Sequence, residues 1–298
     1  VETRASMEAE IQPCEIERPC EVLAPETQTL PLVLASPHSG RHYPPAFVEA
    51  SRLDRLSLRR SEDGFVDEIF ASAPDLGAPL LRANFPRAYV DANREPFELD
   101  PRMFVDPLPA YANTRSPRVA AGLGTIARVV ANGADIYQDK LSFAEALRRI
   151  RNYYWPYHTT LRQLLDDTKA RFGGAILIDC HSMPSIGGPM DRDAGHRRVD
   201  FVLGDCHGQS CNPEIPRLVH QVLGDQGYHV TRNTPYSGGF VTRHYGRPET
   251  GVHALQIEVN RALYMDERQV RRASGLSTLA RDLRAVIEAV GALDPGQL

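Results

Sequence analysis

Short strand-like runs, several of them apolar from end to end and separated by amphipathic stretches, decide most of what this chain can fold into. They recur at Leu32–Ser36, Pro79–Ala83, Ala88–Asp91, Ala175–Cys180, Val199–Leu203 and Val252–Val259. A strand covered on both faces reads this way, whereas a strand with one wet face alternates. Leu147, Ile150, Tyr154, Tyr157, Leu161 and Leu164 follow the three-and-four spacing of one buried helical stripe, which Ser142 and Glu145 open in capping-box spacing. Pro156 falls inside that stripe and predicts a kink. Leu276, Leu279, Leu283, Val286, Ile287 and Val290 mark a final helix. Strands alternating with helices predict an α/β sandwich with a largely parallel sheet. The segment 94–139, rich in Pro, Asn and Gly, reads as a long loop excursion over one end of that sheet. Residues 1–13 read as a mobile tail, and residues 14–298 as a single catalytic domain.

The composition removes several classes of function. The 298 residues carry a net charge of −4 with no basic tail or Lys/Arg run, which argues against nucleic acid as a partner. The longest apolar runs, Leu30 to Ala35 and Ala175 to Ile178, are too short to span a bilayer. The first residues, VETRASMEAE, are polar and acidic and carry no signal-peptide pattern. Cys14, Cys20, Cys180, Cys206 and Cys211 give neither a disulfide framework nor a zinc-ribbon spacing, so free thiols in a reducing cytoplasm are expected. Gly122-Leu123-Gly124 follows no strand, and no phosphate-cradling Gly-Lys-Ser/Thr loop occurs. A small-molecule substrate remains.

In open α/β sheets ligands bind at the carboxyl ends of the strands. Pro37-His38-Ser39-Gly40 follows one predicted strand and Asp179-Cys180-His181-Ser182 ends another, while Glu258 sits inside the last. Either histidine alone suits a structural hydrogen-bonding role. Together with a carboxylate on an equivalent strand end they suit a catalytic zinc site, which takes three protein ligands and keeps one position open. Glu258 among Ile and Val is costly to ionise unless paired or catalytic. The third ligand is Glu62 or Asp63, at the start of a predicted helix with the stripe Val66, Ile69, Phe70 and Ala73. Helical angles do not choose between them, and both also suit first-turn acids stabilised by the helix dipole.

Arginine binds carboxylates through its planar fork. Arg87 and Arg94 flank a predicted strand, and Arg243 and Arg247 lie in the glycine-containing loop SGGFVTRHYGRPETG ahead of the Glu258 strand. Tyr236, before Gly238-Gly239, is a candidate to close over a ligand. Cys206-His207 with Cys211 fits no standard metal spacing.

The segments LASPHSGRHYP, SEDGFVDEIF, RAYVDANREPFELDP, YYWPYHTTL, ILIDCHSMPS, VLGDCHG and NTPYSGGFVTRHYGRPETGVHALQIEVNRALYM run in order from about Leu30 to the final helix. Together they resemble the N-formylglutamate amidohydrolase family, relatives of the zinc carboxypeptidases and aspartoacylases. The resemblance implies a zinc-carboxypeptidase-like, three-layer α/β/α sandwich with a central, mostly parallel mixed sheet. It implies His38 and His181 as metal ligands, tips the third ligand to Asp63, and makes Glu258 the catalytic acid–base. Asn93 and Arg94 match the pair by which the carboxypeptidases hold a substrate carboxylate. One departure is Arg41, at the position where carboxypeptidases carry their metal glutamate.

The activity so implied is zinc-dependent hydrolysis of N-formyl-L-glutamate to formate and L-glutamate, as in histidine degradation, with another divalent metal as the alternative cofactor. Arg87 or Arg94 would hold the oxyanion or the α-carboxylate, and Arg243 or Arg247 the side-chain carboxylate. The competing readings are another N-acyl amino acid deacylase on the same scaffold and a metal-free, carboxylate-binding relative.

Overall fold

The computed structural model describes residues 15–130, 132–189, 191 and 193–298. The tail expected at residues 1–13 lies outside them. Seven strands form the central sheet: β1 (Cys20–Leu23), β2 (Leu32–Ser36), β3 (Leu80–Ala83), β4 (Ala175–Met183), β5 (Phe201–Gly204), β6 (Val230–Arg232) and β7 (Val252–Asn260). Their order is β1-β3-β2-β4-β7-β5-β6. The β3-β2-β4-β7 block is parallel, β1 and β5 join it antiparallel, and β6 runs parallel to β5. A separate pair, β8 (Met265–Asp266) and β9 (Arg271–Arg272), is antiparallel.

Alternation along the central strands builds one core on each face. Val33, Ala35, Ala175, Leu177 and Ala254 face one layer, while Leu32, Leu34, Ile176, Ile178, Leu255, Ile257 and Val259 face the other. Both sets are buried, which is why β2 and β4 are apolar throughout. The helices are α1 (Pro45–Glu49), α2 (Arg55–Arg59), α3 (Val66–Ile69), α4 (Pro117–Ala120), α5 (Phe143–Arg149), α6 (Trp155–Phe172), α7 (Glu214–Asp225), α8 (Phe240–Tyr245) and α9 (Leu276–Gly291). Residues of α5 and α6 complete the first core, and residues of α3, α7 and α9 the second. The result is a mixed seven-stranded sheet flanked by helices, an α/β sandwich.

The long helical stripe forms as expected, and Ser142 Oγ accepts from Glu145 N at 3.2 Å. Pro156 is met by a π-helical turn at Ile150–Tyr154 between α5 and α6. The wider turn accommodates a residue with no N–H to give.

Three expectations fail for identifiable reasons. Ala88–Asp91 is a turn: Tyr89 N and Val90 N both donate to Pro86 O, and Asp91 N to Thr125 O, so these donors are not left for a ladder. The helix expected from Ser61 begins only at Val66, because Asp63 N donates to His38 O and Phe65 takes the left-handed conformation at φ 63°. The loop carrying Arg243 contains α8, whose buried residues are Val241, Thr242 and Tyr245.

Candidate active site

His38 lies two residues beyond β2 and His181 inside β4, which runs three residues further than its sequence pattern indicates. Between them sits Asp63, fixed by the hydrogen bond from its backbone N–H to His38 O, 3.0 Å. Asp63 Oδ2 is 3.2 Å from His38 Nδ1 and 3.0 Å from His181 Nδ1. The possible ligand atoms of these three buried residues all lie within 4.8 Å of one another. Glu62 points elsewhere, accepting from Arg59 and from Tyr43 Oη.

The far nitrogen of each imidazole also meets a carboxylate. His38 Nε2 is 2.7 Å from Asp91 Oδ1, and His181 Nε2 is 2.9 Å from Asp179 Oδ1. Such partners fix ring orientation and raise the basicity of a metal-binding histidine. The partners are held in turn. Asp91 accepts from Arg87 and from Asn93 N, and Asp179 Oδ2 from Thr242 Oγ1. Asp63 Oδ1 accepts from Arg261 Nη2 at 2.9 Å, and Arg261 Nε donates to Ser182 Oγ.

The electrostatics match a cation. Burial alone would raise the Asp63 pKa, but His181 and His38 hold it well below the usual carboxylate range. Asp91 is held low against burial by Arg94, His38 and Arg87. Burial would lower the His181 pKa, yet Asp179 and Asp63 lift it well above its ordinary value. Buried anionic charge thus draws protons onto an imidazole, and a divalent cation answers the same field. Two imidazole nitrogens and a carboxylate oxygen are the donor set of a catalytic zinc site.

Glu258 stands on β7 directly opposite His181 on β4. Gln256, two residues earlier on the same face, donates from Nε2 to Glu258 Oε1 at 2.7 Å. Burial, with Asp63 adding and His181 subtracting, lifts the Glu258 pKa to about 7. A carboxylate poised there exchanges protons near neutrality.

These residues line a pocket of about 250 Å³, a volume suited to a small molecule. Arg87, Asn93, Arg94 and Tyr236 line it too, and the 94–139 excursion contributes Arg118, Ala121, Leu123, Ala127, Val129 and Val130. Arg94 donates from Nε to Leu123 O and from Nη1 to Asn93 O. Burial lowers its pKa to about 10, so it keeps its charge at neutral pH. Both ends of the Asn93 amide meet protein: Oδ1 accepts from Val241 N at 2.8 Å, and Nδ2 lies 3.1 Å from His181 Nε2. Asn93 therefore braces α8 against the histidine.

Arg243 and Arg247 are not brought to this pocket. Both are exposed, Arg243 on the outer side of α8, and Arg247 Nη1 donates to Arg243 O. Sequence reasoning missed Asp91, Asp179, Gln256, Arg118 and Arg261 as site residues. Asp179 and Gln256 did carry a signal, since each lies two residues before a site residue on the same strand and so shares its face.

Three comparisons bear on this geometry. Residues 30–265 match the family model described as N-formylglutamate amidohydrolase. The chain is 32% identical over 251 residues to an N-formylglutamate deformylase of Pseudomonas aeruginosa, covering 83% of this chain and 87% of that protein. It is 30% identical over 252 residues to an N-formylglutamate deformylase of Pseudomonas putida, covering 84% and 87%. The crystal structure of N-formylglutamate amidohydrolase from Ralstonia eutropha JMP134 superimposes with a TM-score of 0.86 at 36% identity, covering 94% of this chain and 99% of that one. With a matching family model, relatives at this identity over most of their length and the same fold, the chain belongs to the N-formylglutamate amidohydrolase family.

Proposed function

We propose that this protein hydrolyses N-formyl-L-glutamate to formate and L-glutamate at a zinc ion held by His38, Asp63 and His181. The observation that carries the reading is the convergence of those three buried side chains beside Glu258 in one pocket. The relatives named as N-formylglutamate deformylases support the substrate. When bound, a divalent cation supplies Lewis acidity for the formyl carbonyl and acidifies the attacking water.

The side chains do the rest. Glu258 takes the proton of the attacking water and delivers it to the amide nitrogen as the C–N bond breaks. Arg87, held at Asp91, donates to the carbonyl oxygen as that oxygen gains charge. Arg94, with Nε and Nη1 on backbone carbonyls, uses its remaining N–H groups for the α-carboxylate. Asn93 positions His181 and α8.

The test is a substrate panel on metal-loaded protein: N-formyl and N-acetyl derivatives of glutamate and methionine, compared by kcat/KM. Formylglutamate should lead. Preference for an acetylated amino acid would remove the deformylase assignment and leave the hydrolase one.

A further inference from the structure

Four arginines line the pocket, and three of them already face carboxylates. Arg87 pairs with Asp91 at 2.8 Å, Arg94 Nη2 lies 3.7 Å from Asp91 Oδ2, and Arg261 pairs with Asp63 at 2.9 Å. Arg118 differs. Among the described residues no carboxylate lies within ion-pair distance of it. Its charge therefore faces the pocket without a protein counterion.

The backbone fixes where that charge sits. Arg118 is the second residue of α4, whose N-cap Ser116 Oγ accepts from Val119 N at 3.0 Å and donates to Glu98. Val119 beside it is buried, so the helix is pinned while Arg118 is left exposed toward solvent and pocket. The turn that follows ties it to Arg94. Leu123 N donates to Arg118 O at 2.8 Å, and Leu123 O accepts from Arg94 Nε at 2.8 Å. The Arg118 charge adds to burial in lowering the Arg94 pKa, against the opposing pull of Asp91. One turn thus holds two cations around one cavity, Arg118 without a carboxylate partner and Arg94 sharing Asp91 with Arg87 at the longer distance of 3.7 Å, and both have N–H groups to offer an anionic ligand. The neighbouring wall of the excursion, Ala121, Leu123 and Val129, suits the methylenes between them.

We propose that Arg118 is the residue that selects an acidic side chain, pairing with the distal carboxylate while Arg94 takes the α-carboxylate. This rests on the deformylase reading and assigns within it the side-chain carboxylate to a residue that lines the pocket, as Arg243 and Arg247 do not. Glutamate-like dicarboxylates are the ligand class, and the charge of the excursion rather than its shape makes the choice.

The experiment compares N-formyl-L-glutamate with N-formyl-L-glutamine, which has the same shape without the charge. The selectivity ratio of kcat/KM is measured in wild type, Arg118→Ala, Arg118→Lys and Arg118→Glu. Wild type should prefer the glutamate derivative. Arg118→Ala should lower the ratio about ten-fold, mostly through KM, as loss of one charged hydrogen-bond partner does. Arg118→Lys should restore part of it, and Arg118→Glu should invert the preference.

Equal losses on both substrates, or an unchanged ratio, would overturn the inference. So would a wild type that does not distinguish them, although turnover of both would leave the deformylase reading standing. If wild type hydrolyses neither, that reading fails and binding of L-glutamate against L-glutamine, by calorimetry on wild type and Arg118→Ala, reads Arg118 directly. A glutamate preference abolished by Arg118→Ala supports the inference even then, and no preference ends it.

Discussion

In the proposed reaction, Glu258 and the carboxylates behind the two histidines carry the chemistry at the scale of single residues. Glu258 is useful as a base only when ionised, and burial holds its pKa near 7. Activity should therefore fall as pH drops through that value. A bound dication favours the ionised form, so the acidic limb of kcat/KM in loaded enzyme should lie at or below about 7. Glu258→Gln should lower kcat by roughly a hundred- to ten-thousand-fold and remove that limb while metal content stays unchanged. Loss of metal in this variant would instead make Glu258 a ligand. Asp179→Asn should weaken metal binding by roughly ten- to a hundred-fold, because His181 loses the carboxylate that orients it. Competition against a chromogenic chelator measures this, and unchanged affinity would show that Asp179 serves only the core.

The residue types of the site were legible from their positions at strand ends, but side-chain direction was not. Asp63 and Glu62 differ by one residue and part completely, because a single backbone bond from Asp63 to His38 sets the turn. Arg243 shows the same limit: its loop holds a helix on which Val241, Thr242 and Tyr245 are buried and Arg243 is exposed.

At the scale of elements, strands with two buried faces were easy to find and edge strands were not. β1 and β6 are half-buried and short, without the apolar run that marks β2 or β4. Ala88–Asp91 has strand-like residues, but Pro86 captures its amide donors in a turn. The π-helical turn left no mark beyond Pro156. Its value lies at its end and just beyond, where Tyr154 donates to Arg94 O and His158 Nε2 lies 2.9 Å from Ala92 O, gripping the 91–94 turn. The start of α8 presses on that turn from the other side. A Cβ on Gly239 would sit 2.2 Å from Asn93 Nδ2, a distance no packing allows. Gly239→Ala should push Asn93 off His181 and destabilise the protein by about 1–3 kcal/mol, as overpacking does. Denaturant unfolding together with kcat/KM checks both effects. Wild-type stability and activity in this variant would mean that the α8 entrance yields.

For the whole molecule, the sheet explains why the site is where it is. Alternation on β4 and β7 gives both faces a core, and the polar members, Asp179, His181, Gln256 and Glu258, fall on the face covered by α6. The 94–139 excursion then closes the pocket from the loop side. Among the described residues no helix is long and apolar enough to cross a membrane. The proposed zinc mechanism requires one cation in the His38–Asp63–His181 group. Its most direct test is formate release from N-formyl-L-glutamate while zinc is titrated into chelator-stripped protein. Activity should be absent at the start, rise linearly and saturate at one equivalent per chain. Full turnover by stripped protein, unchanged by added zinc, would contradict that mechanism.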